Sequence, residues 1–366
     1  MYIKSLELKN YRNYDQLCIN IDSGINILYG DNAQGKTNIL EALYLCSTTK
    51  SHRGSKDREI IRFDCEESHI RMQVCKKGTA HRIDMHLKKN GPKGIAIDGI
   101  PIRKASELFG IVNIVFFSPE DLNMIKNGPS ERRRFLDGEI CQLSRVYMME
   151  LANYNKVVAQ RNKLLKEISF SGKMADTLDV WDLQMERYGK SLIRRRDEFI
   201  DRLNRILGQI HASLTGEKEK IELVYEPNVR EETFAKELSE ARARDLRLGQ
   251  SCVGPHRDDF CVKVNGIDIR RFGSQGQQRT AALSCKLAEI QLVQEEIHDT
   301  PVLLLDDVLS ELDSSRQNYL LQSIHNIQTL ITCTGLDEFV ENQFEINKVF
   351  RVAEGTVVQN KQEESK

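Results

Sequence analysis

The sequence predicts an α/β fold: a parallel sheet built in two halves, with a helical insertion between them. Three observations carry that prediction. Apolar strand-like runs alternate with helical spacing near both ends of the chain. The middle has no Gly or Pro from Ile140 to Leu165 and steps its apolar residues by four and three. A glycine-rich phosphate-type loop falls in the first half, and an apolar run ending in two carboxylates falls in the second.

The elements follow in order. Leu17, Ile19 and Ile21 alternate as in a strand, and Ile25 to Tyr29 is a short apolar run stopped by Gly30. Ile39, Leu40, Leu43 and Tyr44 then fall at helical spacing, so a helix starts near Lys36. From about residue 58 to 115 the pattern reads as strands, with turns at Gly91-Pro92 and Asp98-Gly99. Tyr147, Leu151, Tyr154, Val158, Arg161 and Leu165 form one helical seam. After a break at Ser169 to Asp176, Trp181, Met185, Tyr188, Leu192, Arg195 and Phe199 form a second, with Trp181 expected in the core. Two such helices and a short loop predict an antiparallel hairpin. The last third returns to α/β alternation: strand or loop at Ile267 to Phe272, helix from Gly276 to about Ile297, strand at Pro301 to Leu305, helix from Ser314 to about Ile324, strand at Thr329 to Cys333. A short polar tail follows Val358. The expected division is 1–125 and 251–366 for the two parts of the α/β unit, with 126–250 as the insertion.

Bulk properties exclude several classes. The 366 residues fit two or three domains, and 40% hydrophobic residues are enough for a packed core. With 53 Lys+Arg against 54 Asp+Glu, net charge is −1, so any nucleic-acid surface must be a local basic patch. No run nears the roughly 18 apolar residues needed to span a bilayer, and MYIKSLELKN is not a secretory leader. Nine cysteines, scattered singly, fit neither a zinc site nor a disulfide framework and point to a reduced, cytoplasmic protein.

Gly30-Asp31-Asn32-Ala33-Gln34-Gly35-Lys36-Thr37 matches G-x-x-x-x-G-K-[ST] between a strand and a helix, the context that motif requires. Its backbone N–H groups would wrap the phosphates of ATP, with Lys36 on the β- and γ-oxygens and the Thr37 hydroxyl on Mg²⁺. Val302 to Leu305 leads into Asp306 and Asp307. Asp306 is placed to hold Mg²⁺ through water, and Asp307 to orient the attacking water. Ser274-Gln-Gly276-Gln277-Gln278-Arg279 precedes the long helix, and Ser274 with Gln277 satisfies a capping box. A capped helix start is also an anion site, so both roles can hold at once. Ser310-Glu-Leu-Asp313 reads as a helix N-cap region, with Asp313 or Ser314 as the cap. In His256-Arg257-Asp258-Asp259, after Gly254-Pro255, a structural turn outweighs metal chelation because no second ligand cluster accompanies it.

The Ser274 segment resembles the signature motif of ABC-type ATPases, in which a Ser, a Gly and a helix N-terminus meet the γ-phosphate held by a partner subunit. Roughly 270 residues separate Lys36 from Asp306, with the hairpin between. That split resembles the SMC-like branch of these enzymes. Within that branch the chain resembles the RecF family of DNA repair proteins, in Leu6 to Tyr14, Gly30 to Ala42, Lys50 to Arg53, Phe117 to Leu122, Gly128 to Asp137, Gly254 to Asp259 and Phe272 to Arg279. The resemblance implies an ABC-type, SMC-like P-loop ATPase head with an inserted helical hairpin domain. It also implies an ATP-dependent homodimer in which Ser274, Gly276 and Gln277 complete the partner's nucleotide site. Further implications are binding to duplex DNA and single-strand/double-strand junctions, and a nucleoid-associated role with RecR, RecO and RecA in repair, replication restart and SOS induction.

Two departures qualify the enzymology. Asp307 stands where such enzymes usually carry Glu, and Thr332-Cys-Thr334 offers no His at the end of its strand. Slow hydrolysis is therefore expected, with a non-hydrolysing structural clamp as the alternative. A metabolic P-loop kinase would have no use for the Ser274 motif or the hairpin. Arg132, Arg133 and Arg134, and Arg194, Arg195 and Arg196, form two triplets. They read either as a solvated helix face or as contacts to DNA phosphate.

Overall fold

The computed structural model describes residues 1–104, 107–171, 177–336 and 346–359. Part of the loop expected between the hairpin helices and most of the polar tail lie outside the described residues. The chain divides into two compact units, Met1–Asp121 with Val293–Lys366, and Leu122–Leu292.

The first unit contains two sheets. One is antiparallel, with strands side by side in the order Tyr14–Asn20, Tyr2–Tyr11, Glu67–Lys76, Thr79–Lys88, Gly94–Ile97, Ile100–Pro101. Alternation explains it: Ser68, Ile70, Met72 and Val74 are buried, while Glu67, His69, Arg71 and Gln73 face outward. The apolar phase of the first strand slips between Ile3 and the pair Leu6 and Leu8, because pairing with Glu67–Lys76 shifts register between Ile3 and Ser5. Gln328 braces that end of the strand. Its Oε1 accepts from the Ile3 amide at 2.6 Å, and its Nε2 donates to Ile3 O at 2.7 Å.

The other sheet runs Thr356–Gln359, Lys348–Ala353, Ile25–Tyr29, Thr329–Cys333, Val302–Asp306, Ile114–Phe117, parallel except for its first pair. Strands from both ends of the chain pair here, as the alternation at the two ends implies. Of the strands read between 58 and 115, the longer ones enter the antiparallel sheet, and Ile114–Phe117 joins the parallel one. The helix Lys36–Thr48 packs against strands of both sheets. Ten of its thirteen residues are buried, so it is a core helix rather than a surface one. No helix among the described residues is long and apolar enough to cross a membrane.

The second unit is built on the helices Arg145–Ser171 and Leu178–Thr215. They run antiparallel, since Tyr147 meets Arg196, Glu150 meets Ser191 and Arg161 meets Asp182. The seam differs from the expected one in detail. Val157 is buried rather than Val158, Arg196 rather than Arg195, and Trp181 is only half-buried. The unit also extends past the expected boundary at residue 250. Strand Asp259–Val264 pairs with Ile221–Glu226 and Ile267–Asp268, so the base of the hairpin is completed by later residues.

The arginine triplets need correction in part. The Arg132 guanidinium is buried, pairs with both Asp259 oxygens at 2.6 and 3.0 Å, and donates to three backbone carbonyls. Arg196 is 1% exposed and donates to Tyr147 Oη, Pro255 O, Asp258 and Asp137. Neither is available to DNA, because burial of a guanidinium demands that its donors be spent inside. Arg133 reaches Asp258 O at 2.7 Å. Arg194 and Arg195 remain accessible, paired with Glu231 and Glu150.

Arg196→Ala should destabilise this unit by about 3–5 kcal/mol, because it strands the fully buried Asp258 carboxylate. Arg194→Ala should cost about 0–1 kcal/mol, as an exposed pair does. Urea unfolding of the two variants measures the contrast.

Candidate nucleotide site

The first unit assembles the phosphate-type loop at the C-terminal end of the parallel sheet. Gly30 follows strand Ile25–Tyr29 with φ 149°, and a Cβ there would stand 2.2 Å from Val352 O. Gly35, with φ 111°, precedes the helix, and a Cβ there would stand 2.5 Å from Asn13 Nδ2. Neither position accepts a side chain. The loop is braced from outside the motif. Asn13 Nδ2 donates to Gln34 O at 2.9 Å, Tyr14 Oη to Gly35 O at 3.1 Å, and the Glu354 amide to Gln34 Oε1 at 2.6 Å. Asp31, Asn32 and Ala33 are exposed at the loop's crest, and Ala33 has a left-handed φ of 63°. Lys36 is buried, and its Nζ donates to Gly30 O at 2.6 Å and Asp31 O at 2.9 Å. Its ammonium thus lies within the loop's own curl.

The carboxylates meet that loop through pairing of strands. Asp306 lies opposite Thr332, and Thr332 lies opposite Leu28. Asp306 Oδ1 accepts from Thr37 Oγ1 and from Thr332 Oγ1, each at 2.8 Å. Hydroxyl and carboxylate oxygens side by side are the hard donors that suit Mg²⁺, so Thr37 and Asp306 fit that ion. Asp307 follows with φ 52°, and its amide donates to Thr332 Oγ1 at 2.9 Å. Burial pushes the Asp307 carboxyl up, the nearby Lys36 cation opposes this, and Asp306 adds to it. Ser310 Oγ donates to Asp307 O at 2.8 Å, and Asp313 caps the next helix by accepting from the Arg316 amide at 3.0 Å.

Sequence reasoning missed Thr332 as a site residue, although it is a hydroxyl near the C-terminal end of a mostly apolar buried strand. It also missed Glu41. Burial raises that carboxyl, but hydrogen bonds from Arg12 and Ser51 outweigh it and hold the pKa below the usual range. Arg12 grips it bidentately at 2.8 and 2.7 Å, tying the first hairpin to the core helix.

The second unit carries Ser274 at the start of the helix Gln275–Ile297. The capping box is reciprocal: the Gln277 amide donates to Ser274 Oγ at 3.2 Å, and the Ser274 amide to Gln277 Oε1 at 3.1 Å. Gln277 Nε2 also donates to Glu219 at 2.9 Å. Ser274 and Gly276 are exposed, and a Cβ at Gly276 would come no nearer than 3.9 Å to Ser274 Oγ. The 254–259 turn is structural. Asp258 is buried on Arg196, and His256 Nδ1 meets Tyr154 Oη at 2.7 Å.

This arrangement is that of an ABC-type ATPase head of the SMC-like kind. The chain matches the RecF/RecN/SMC N terminal domain family over residues 2–358. It is 60% identical over 357 residues to the DNA replication and repair protein RecF of Agathobacter rectalis, covering 98% of this chain and 99% of that one. It is 47% identical over 368 residues to the RecF of Clostridium acetobutylicum, covering 98% and 100%. A solved structure of the recombination mediator protein RecF with ATP, in the RecFOR pathway, superposes with a TM-score of 0.91 at 36% identity, covering 98% of each chain. The Smc head of Pyrococcus furiosus shares the fold alone, with a TM-score of 0.56 at 16% identity over 99% of this chain and 97% of that one. The chain belongs to the RecF family.

Thr332→Val keeps the side chain's shape but removes the hydroxyl that serves both Asp306 and the Asp307 amide. It should cost about 1–3 kcal/mol, the penalty for leaving a buried partner unsatisfied, read by chemical unfolding. Asp307→Asn should do the opposite. A carboxyl whose pKa is raised on folding costs stability once it ionises, so stability falls as pH rises through the folded pKa. The Asn variant should melt higher at neutral pH, with the gain fading in acid.

Proposed function

We propose that this chain is an ATP-dependent DNA-binding clamp of recombinational repair. Gly30 to Thr37 cradle the triphosphate, Lys36 turns from its loop carbonyls to the β- and γ-phosphate oxygens, and Thr37 and Asp306 hold Mg²⁺. The ion, when bound, offsets phosphate charge. Ser274, Gly276 and Gln277 face the γ-phosphate of a second copy, so that ATP closes a head-to-tail homodimer. The observation that carries this reading is the 2.8 Å bond from Thr37 to Asp306 across 269 residues of sequence. It brings the phosphate-type loop and the acidic strand together as two halves of one centre.

The reading extends to DNA at gaps and single-strand/double-strand junctions and to action with RecR and RecO upstream of RecA; the RecFOR pathway named for the ATP-bound relative supports the part with RecR and RecO. Replication restart and SOS induction belong to the same role. Arg194 and Arg195 are the members of the triplets that a DNA phosphate could still recruit, by exchange with Glu231 and Glu150. Asp307 orients water for slow turnover that resets the dimer. A second reading, a clamp that binds ATP without splitting it, is favoured by the short reach of the Asp307 side chain, one methylene less than the usual Glu. A carboxylate held too far from the attacking water is a poor base.

Sedimentation with and without ATP, on duplex and on gapped DNA, tests the proposal. Lys36→Ala should lose ATP binding and ATP-dependent retention on DNA. Ser274→Arg should keep ATP binding as a monomer yet fail to dimerise. ATP-driven dimers of the Ser274 variant would overturn the head-to-tail arrangement.

A further inference from the structure

The outward face of the antiparallel sheet carries a cluster that the nucleotide site does not use. Glu67 and His69 are two apart on one strand, so both side chains leave on the same face. His86, on the next strand, is paired directly with His69. Their rings stack with centroids 4.2 Å apart and planes 18° from parallel. Glu67 Oε2 lies 2.8 Å from His86 Nε2 and 4.0 Å from His69 Nε2. One ligand atom from each of the three lies within 4.8 Å of the others, and among the described residues no other three His, Cys, Asp or Glu side chains come together in this way.

We propose that Glu67, His69 and His86 form a surface site for a divalent transition-metal ion of the Zn²⁺ or Co²⁺ type. Two imidazoles and one carboxylate are a borderline donor set, which favours such ions over Mg²⁺ or Ca²⁺. A tetrahedral ion with bonds of about 2.0–2.2 Å sets its ligand atoms roughly 3.4 Å apart. The 2.8 and 4.0 Å separations bracket that spacing, so small rotations of the exposed Glu67 and His69 and the half-buried His86 complete it. Room exists on the far side of His86, because its partner on the next strand is Gly94, where even a Cβ would stand 3.8 Å from His86 Cβ. Three protein ligands leave a fourth position for water, beside a hollow of about 820 Å³ lined in part by His69, His86, Arg71 and Asp84. The opposing charges are Lys88, with Nζ 3.9 Å from Glu67 Oε1, and Lys9, paired with His69 across the first strand. Both are long enough to swing away when an ion arrives. The bound ion would staple Glu67–Lys76 to Thr79–Lys88 and stabilise the folded sheet by linkage.

The test uses the full chain, stripped with chelator and free of nucleotide and Mg²⁺. Co²⁺ is titrated by its visible d–d bands and Zn²⁺ by calorimetry, with melting followed in parallel. One equivalent should bind and raise the melting temperature. His69→Ala and His86→Ala should each weaken binding by more than about tenfold, a loss that even outer partners of a metal site can cause. Both variants change side chains outside the nucleotide loop, His69 exposed and His86 half-buried, and should keep ATP binding, so this test fails or succeeds independently of the ATPase reading. Absence of saturable binding, or binding of equal strength in both His variants, overturns the site.

Discussion

One carboxylate oxygen organises the nucleotide site. Asp306 Oδ1 accepts from Thr37, at the start of the core helix, and from Thr332, on the strand between. Neither contact exists until Ile25–Tyr29, Thr329–Cys333 and Val302–Asp306 lie side by side in parallel register. Parallel neighbours need long crossovers, and here the stretch from the loop strand to the acidic strand contains four strands of the antiparallel sheet and the whole second unit. The site is therefore a property of the closed sheet, not of either motif. Thr332 also holds the Asp307 amide, so the same hydroxyl that positions the first carboxylate sets the left-handed turn that aims the second.

Much of this was legible in the sequence because buried parallel strands leave a plain signature. Ile25 to Tyr29, Val302 to Leu305 and Thr329 to Cys333 are mostly apolar buried runs, and each is a strand within a residue of the expected bounds. The hairpin was legible for a similar reason, since its period persists over both long helices. What the pattern hid was the second role of polar residues inside it. Gln328 looks like a strand-end residue but supplies bonds to Ile3 and Asp22. Asn13 in the hairpin turn and Tyr14 at the start of the next strand carry no periodic signal for it, yet they support the backbone of Gln34 and Gly35. Contacts of this kind join residues distant in sequence, and periodicity carries no information about them.

The arginine triplets show the same limit in charge. Three successive helical residues point about 100° apart, so a run of three cannot present one face. In Arg194 to Arg196, one side chain enters the core and two stay outside. The buried member matters to the fold because the second unit is held by ionic knots. Arg161 binds Asp182 and the fully buried Asp245, while Arg196 binds Asp137 and Asp258. Such pairs offer little net stability over apolar packing, but they are costly to break by halves. They fix which residue of the hairpin meets which residue of its base.

At Ser274 the two sequence readings, cap and anion site, prove to be compatible on geometric grounds. The cap occupies the Gln277 amide and the Ser274 amide, and the Gln278 amide turns back to Ser274 O at 3.0 Å. The amides of Gln275 and Gly276 lie outside that set, at the positive end of a 23-residue helix. Gly276 adds no side chain to screen them. Phe272, two residues before Ser274, is 76% exposed. A large ring held in water next to an open helix start is a surface that the proposed second copy would cover. In the proposed head-to-tail dimer the capping box would keep the helix start ordered for a phosphate from outside the chain, so the same four residues would serve both local stability and action in trans.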